Sequence, residues 1–320
     1  MFKSLRPDQS SPEKSLIFGT QGMFPRKIND YLWILGNDYF HIYLIKGKNN
    51  CALVETGISA TADVTLQQLS LLEAKPDYLI VSHPHSDHIT GLDYLKRSFP
   101  QAAVMAAKGA ESFITHPKAA QSLIAEDIYM IQALTSLGIC STAGTIAAPP
   151  SLRGCQVVND GEQLDLGDLI ICFLEVQGHS PGNILVHIPS LNTVLVSDSL
   201  GNHYPGRGFF PTFFTGFADY MKTIGRLERL GSINLGLAHN GFLSEQKDIG
   251  DIFREARKSA RDVQDYVTNS SRDDETIAKD LFGFYYTDEL AVYSPQNILN
   301  CCRLLVRRVR ETDQDKNNRS

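Results

Sequence analysis

Residues 78–91 read Tyr-Leu-Ile-Val-Ser-His-Pro-His-Ser-Asp-His-Ile-Thr-Gly. His83, His85, Asp87 and His88 crowd together directly behind an apolar run. Imidazole nitrogen and carboxylate oxygen are the donors that suit zinc, iron or manganese. Side chains of an extended segment repeat every two residues, so His83 and His85 can face the same way. Asp87 and His88 fall beyond them and can serve a second, adjacent ion. A loop rich in histidine by accident has this composition too, but four potential ligands at this density favour a metal site.

The elements that must position this loop follow from periodicity and turn residues. Strands are expected at 31–35, 40–46 and 52–55, separated by Gly36-Asn37-Asp38 and Gly47-Lys48-Asn49-Asn50, an antiparallel start. Val64, Leu66, Leu69 and Leu72 predict a helix over 59–73, capped by Ser59 or Thr61. Residues 78–82 form the strand that feeds the histidine loop. A helix at 93–99, a strand at 102–106 and a helix over about 118–137, ended by Gly138, come next. Residues 140–154 read as a loop. Strand signals return at 156–158, 169–176, 184–188 and 193–197, then a helix at 215–230 and a strand at 233–238. Beyond residue 244 the pattern is helical. Four regions are expected: a flexible lead (1–15), a core domain (16–243), a C-terminal helical extension (244–312) and a flexible tail (313–320).

Composition narrows the partners. The 320 residues are 42% hydrophobic and 21% charged, with net charge −6 and pI about 5.8. That balance favours neither nucleic acid nor an anionic membrane. No apolar run reaches the roughly 18 residues of a membrane span, and the polar N-terminus lacks a signal-peptide core. Cys51, Cys140, Cys155, Cys172, Cys301 and Cys302 show no CxxC spacing and read as reduced thiols of a cytoplasmic protein.

His83-x-His85-x-Asp87-His88 resembles the HxHxDH signature of the metallo-β-lactamase-fold hydrolases, and further matches follow in order over about residues 30–243. The resemblance implies an α/β fold, the αββα sandwich of two mixed sheets covered by helices. Gly178-His179-Ser180-Pro181-Gly182 matches the family's Gly-His-(Ser/Thr)-Pro-Gly loop. Asp198 falls where the family places its bridging aspartate, with Ser197 in place of the usual Gly. His239 resembles the final histidine, with Asn240 where Gly is common. The implied set is His83, His85 and His179 on one metal, Asp87, His88 and His239 on a second, and Asp198 between them. The implied cofactor is two divalent ions, zinc foremost, with iron and manganese open. Glu55 stands where the family usually has Asp, as a carboxylate supporting the ligands from behind.

Two ions sharing a water lower its pKa from about 15.7 toward 7, giving a hydroxide that attacks a carbonyl. Asp87 is the implied catalytic residue, orienting that hydroxide and carrying a proton. There is no Gly-x-Ser-x-Gly elbow. The expected reaction is hydrolysis of a small-molecule thioester or ester; a lactonase of the same fold is the alternative. From another class, the chain could be a regulatory or binding module that keeps the metals and acts through its surface. Tyr204, His203, Phe209 and Phe210 are the candidate substrate-binding residues, in an aromatic stretch directly after Asp198. Tyr204 is the one expected to donate to the substrate carbonyl, as a tyrosine does in lactonase relatives. Phe282, Phe284, Tyr285, Tyr286 and Tyr293 could close over the site, as C-terminal helices do in glyoxalase II and the quinolone-signal response thioesterase. The latter also resembles this chain at Ala52-Leu53-Val54-Glu55 and Gly57-Ile58-Ser59. Arg254, Arg257, Lys258 and Arg261 share a helical face that either meets an anionic carrier or is simply solvated. His41 and His187 read as packing or surface residues, His116 as a helix cap. Oligomeric state stays open, a homodimer included.

Overall fold

The computed structural model describes residues 24–140, 145–204, 208–239, 241–244 and 246–317. The expected lead at 1–15 lies outside them. Neighbouring side chains of one strand go to opposite faces, and the central strands are apolar on both. Ile34, Tyr43 and Ile45 enter one apolar cluster while Leu35, Ile42 and Leu44 enter another. A sheet buried on both faces needs a cover on each side. The result is an α/β fold of two face-to-face sheets with helices outside both.

The first sheet has the order β1 (Arg26–Lys27), β2 (Leu32–Gly36), β3 (His41–Lys46), β4 (Cys51–Val54), β5 (Tyr78–Val81), β6 (Ala103–Ala107), β7 (Gln156–Val158). It is antiparallel through β4 and parallel from there on. Parallel neighbours need helical crossovers. Helix α1 (Ala62–Leu71) makes the first, and α2 (Ser86–Ile89) with α3 (Leu92–Ser98) makes the next. Then α4 (Ala110–Thr115) and the long α5 (Pro117–Ser136) lead to β7. The second sheet has the order β15 (Phe242–Leu243), β14 (Asn234–Leu237), β11 (Thr193–Ser197), β10 (Asn183–Ile188), β9 (Ile170–Val176), β8 (Gln163–Asp165). A separate hairpin, β12 (Asn202–Tyr204) and β13 (Gly208–Phe210), follows β11.

Between the sheets pack Leu32, Tyr43, Val54, Ile80, Ile171, Phe173, Val186 and Leu195. Outside the second sheet, Leu174, Val176, Val194 and Val196 meet α6 (Phe217–Leu230) and the C-terminal helices α7 (Gln246–Asn269), α8 (Asp274–Tyr285) and α9 (Pro295–Asn317) in one cluster. Helix α9 runs on past the expected end at 312, into the tail expected to be flexible.

Local expectations differed in detail. Neither Ser59 nor Thr61 caps α1 with a side-chain bond; Ser59–Thr61 forms a short 3-10 turn ahead of it. His116 occupies the cap position of α5 but makes no side-chain capping bond. His41 is buried, and its Nδ1–H points at the Leu237 carbonyl 3.2 Å away, where Tyr43 Oη also donates at 2.6 Å. These two side chains tie the sheets together beside the end of β14. Gly91 lets α2 and α3 lie on the Glu55-Thr56-Gly57 turn: a Cβ there would stand 2.2 Å from the Thr56 carbonyl oxygen.

Candidate metal centre

Each candidate ligand stands just past the carboxyl end of a strand, the usual place for a site in mixed α/β sheets. His83, His85, Asp87 and His88 follow β5; His179 follows β9; Asp198 follows β11; His239 follows β14. The structure gathers all seven into two groups sharing Asp198. One holds His83, His85, His179 and Asp198, the other Asp87, His88, Asp198 and His239, with ligand atoms within 4.8 Å of one another in each. His85 is half-buried; the other six are buried.

The far side of four imidazoles is held by protein. His88 Nδ1–H donates to Glu55 Oε2 at 3.0 Å, and His179 Nδ1–H to the Thr212 carbonyl at 3.0 Å. His239 Nδ1–H donates to the Tyr39 carbonyl at 2.6 Å. His83 Nδ1 lies 3.0 Å from Ser82 Oγ and 3.3 Å from Ser197 Oγ. Ser82 Oγ–H donates to Glu55 Oε2 at 2.8 Å, which leaves its lone pairs for His83 and Ser197. With Nδ1 turned outward to protein, Nε2 is the atom that each of these rings turns inward.

This arrangement is the test of whether an ion fits. His83 Nε2 lies 3.1 Å from both His179 Nε2 and His85 Nδ1. With their Nδ1 protons committed to Ser82 and Thr212, the Nε2 lone pairs of His83 and His179 face one another and repel unless a cation joins them. A tetrahedron with bonds of roughly 2.0–2.1 Å has edges of about 3.3 Å. In the second group, His88 Nε2 lies 3.3 Å from Asp87 Oδ2 and 3.4 Å from Asp198 Oδ2. His239 Nε2 lies 3.3 Å from Asp87 Oδ2 and 3.2 Å from Asp198 Oδ1. His88 Nε2 and Asp198 Oδ1 are buried without a hydrogen-bond partner among the described residues, a costly state that a cation would relieve. The donor set and its spacing fit a divalent metal site.

The protonation states split along the same line. Burial, then the neighbouring imidazoles, hold His83 well below its ordinary value, and burial and His179 bring His85 down to about 3. Burial also opposes charge on His239, but Asp198 and Asp87 outweigh it and push it up to about 10. His88 is raised in the same way by Asp87, Glu55 and Asp198. Against the cost of burial, His88 and His239 hold Asp87 and Asp198 well below the usual carboxylate range.

Two backbone departures sit against the ligands. Glu55 (φ 72°) and Ser197 (φ 47°) adopt left-handed conformations without being glycine, a strain that usually marks a functional turn. At Ser197 the pairing of β11 with β14 slips by one residue, which turns Asp198 into the site. The position is where a glycine would be easiest; Ser197 instead supplies a hydroxyl to Ser82.

The expected substrate residues separate. Tyr204 is buried and lines a pocket beside His239, with Tyr39, Asn202, Leu290, Val292 and Tyr293. His203 does not face that pocket: its Nε2 lies 3.7 Å from Glu255 of α7 and its ring packs 4.8 Å from Phe209. The two-residue repeat that aims Tyr204 inward sends His203 outward. Phe209 is core on that same side, its backbone N–H bonded to Ser259 Oγ. Phe210 packs on Tyr285 and Phe214 rather than on a ligand. Phe214, the last residue of the expected aromatic stretch, borders the candidate ligands, 5.5 Å from His179 and 6.3 Å from His85 by ring centres. Residues 205–207 and Asn240 lie outside the described residues. Of the C-terminal aromatics, Tyr293 arrives at the site: its hydroxyl donates to Asp87 Oδ2 at 2.7 Å and lies 3.5 Å from His239 Nε2.

The basic face on α7 is largely self-paired. Arg257 bonds Glu228, Lys258 bonds Asp262, and Arg254 pairs with Asp251. No helix is long and apolar enough to cross a membrane among the described residues.

A sequence profile described as the metallo-beta-lactamase superfamily matches residues 37–259. A hydroxyacylglutathione hydrolase of Aeromonas salmonicida is 32% identical over 46% of this chain; the chain spans 42% of that relative's length. Among solved structures, an archaeal metallo-beta-lactamase superfamily protein from Sulfolobus tokodaii superposes with TM-score 0.57 at 19% identity, covering 88% of this chain and 98% of that one. A beta-lactamase domain protein from Burkholderia ambifaria superposes with TM-score 0.62 at 15% identity, covering 91% and 92%. At such identities these structures speak for the fold.

Proposed function

This chain belongs to the metallo-beta-lactamase superfamily, and on that premise we propose that it is a metal-dependent hydrolase of thioesters or esters. The observation that carries the reading is the pair of converging groups that share Asp198, with buried ligand atoms left unbonded. We propose His83, His85 and His179 as ligands of one ion, Asp87, His88 and His239 as ligands of a second, and Asp198 as ligand to both. Nitrogen-rich tetrahedral sets of this kind favour zinc, with iron or manganese as the other candidates. Such ions supply Lewis acidity that activates water for attack on a carbonyl and stabilises the resulting oxyanion.

The chain's own groups do the rest. Glu55, Ser82, Thr212 and Tyr39 fix the imidazoles, so the donors need no reorganisation when an ion or substrate arrives. Asp87 Oδ2, buried among His88, His239 and Tyr293, is placed to take up and return a proton. Phe113 and Phe214 flank His85. The Aeromonas relative is named for hydrolysis of an acylglutathione, which is a thioester; this supports a thioester over a phosphodiester. Tyr204 in the adjoining pocket keeps a lactone as the second substrate class.

The test is elemental analysis combined with a panel of acyl thioesters, lactones and phosphodiesters. Two ions per chain are expected, with thioester hydrolysis that falls at least 100-fold in His85→Ala. Less than about one ion per chain, together with unchanged hydrolysis in His85→Ala, would sink the proposal. A surface-acting regulatory role would show as full biological effect in that same variant.

A further inference from the structure

Residues 211–216 join β13 to α6 and belong to no strand or helix, yet they support the first group of candidate ligands. The Thr212 carbonyl accepts from His179 Nδ1–H at 3.0 Å, and Thr212 Oγ1–H donates to the Asp198 carbonyl at 2.8 Å. Thr215 N–H donates to the Gly178 carbonyl, next to His179, at 3.0 Å. Phe214 N–H turns back to the Thr212 carbonyl at 2.8 Å, so the direction of one peptide unit passes to the other. Phe213 is fully buried against Phe217 and Tyr220 and anchors the segment at one point. A side-chain anchor leaves the peptide planes on either side free to turn; hydrogen bonds must fix them, and a loop has no ladder to supply those bonds.

The Phe214 carbonyl finds its partner 94 residues later: Arg308 Nε–H of α9 donates to it at 2.7 Å. The profile match ends at residue 259, so this contact comes from beyond it. Glu311 holds the guanidinium through Nη1 at 2.6 Å. Arg303, Arg307 and Arg310 of the same helix bond carboxylates of α8 and α9; Arg308 also reaches out to the loop. A charged donor bonds a carbonyl more strongly than a neutral one, and the guanidinium keeps its charge at any ordinary pH.

We propose that Arg308 is a positioning residue for the first group. By holding the Phe214 carbonyl it sets the Thr212 peptide, and through it the orientation of the His179 imidazole. Three hydrogen bonds in series carry the effect: Arg308 to Phe214, Phe214 to Thr212, and His179 to Thr212. The second group meets this route only through Asp198, which both groups share; its own imidazoles are held by Glu55 and Tyr39. The inference rests on the proposed ligand set, and its test does not need turnover.

The probe is zinc alone, its affinity for the full-length protein measured by chelator competition in two backgrounds. His239→Ala leaves the first group complete, and His85→Ala leaves the second complete. Arg308→Met keeps the stem and removes the donor. Groups that support a metal-bound histidine typically contribute 10–100-fold in affinity. Arg308 acts one step further out, so Arg308→Met should weaken zinc binding about tenfold in the His239→Ala background and by less in the His85→Ala background. Arg307→Met, which removes only an exposed pairing with Glu311, should leave both affinities unchanged. Circular dichroism is recorded for each variant, and Arg308→Gln, whose amide is too short to reach the loop, repeats the comparison if Arg308→Met unfolds. Unchanged affinity of the first group, a loss in the second group as large as in the first, or the same loss in Arg307→Met overturns the proposal. If neither background binds zinc even with Arg308 in place, the ligand set falls and this inference with it. If the Arg308 effect is seen but no thioester is cleaved, the inference stands and the hydrolase reading falls.

Discussion

Glu55 is the residue on which the second group of candidate ligands leans. It accepts from both Ser82 and His88, and its left-handed backbone is what brings the carboxylate under the site. Groups that hold a ligand from behind typically contribute 10–100-fold in metal affinity. Glu55→Ala is therefore expected to weaken binding of the second ion, whose His88 it holds directly, about 10–100-fold in a chelator competition, and binding of the first ion, reached only through Ser82 and His83, by less. Equal loss of both ions would refute the division of labour. A pH dependence follows from His239. Its folded value is raised to about 10, so in the metal-free protein its pairing with Asp198 and Asp87 contributes stability fully present below about pH 6.5. That contribution is lost as the pH rises toward 10. The denaturation midpoint of metal-free protein should thus fall between pH 7 and 10, and a flat midpoint over that range would contradict it. Because an ion must displace these protons, its uptake at neutral pH should also release them.

At the scale of elements, α5 is the piece that joins the metal loop to the C-terminal segment. Asp127 accepts from Ser59 N–H at 3.0 Å, Ser59 Oγ at 2.6 Å and Thr90 Oγ1 at 2.6 Å, all buried. One residue earlier, Glu126 holds Ser294 beside Tyr293. The helix expected over 118–137 serves both sides of the site through these two adjacent carboxylates. Asp127→Ala leaves buried donors without an acceptor, at roughly 1–3 kcal/mol each where they cannot find another. A loss of about 3 kcal/mol in urea denaturation is expected, against less than about 0.5 kcal/mol if the network merely decorates the loop. Gly91→Ala should destabilise as well, since its Cβ collides with the Thr56 backbone; an unchanged melting temperature would show that the turn can yield.

For the whole molecule, the C-terminal helices are part of the core rather than an appendage. Leu281, Ile298, Leu305 and Val309 share one buried cluster with Val194, Val196 and Leu235 of the second sheet. Removing α8 and α9 uncovers that cluster and takes Tyr293 away. A chain ending at residue 270 should lose cooperative melting and bind a hydrophobic dye; a sharp transition near that of the parent would mean the sandwich is self-sufficient.

Much of this was legible in residues alone. Histidine and aspartate at strand ends carry their chemistry in their identity, and the ordered spacing of His83 through His239 fits one family's pattern. The continuously apolar strands and the helical repeat beyond residue 244 likewise declare which faces must be covered. What periodicity could not convey was direction within a loop. Tyr204 faces the pocket while its neighbour His203 turns to Glu255, because a hairpin of unmarked register decides which side is in. Tyr293 reaches Asp87 only because Ser294 is pinned to a helix more than 150 residues earlier. Local spacing follows from covalent geometry and is written in the chain. Contacts between distant segments depend on how three apolar clusters close upon one another, and only the tertiary structure resolves that.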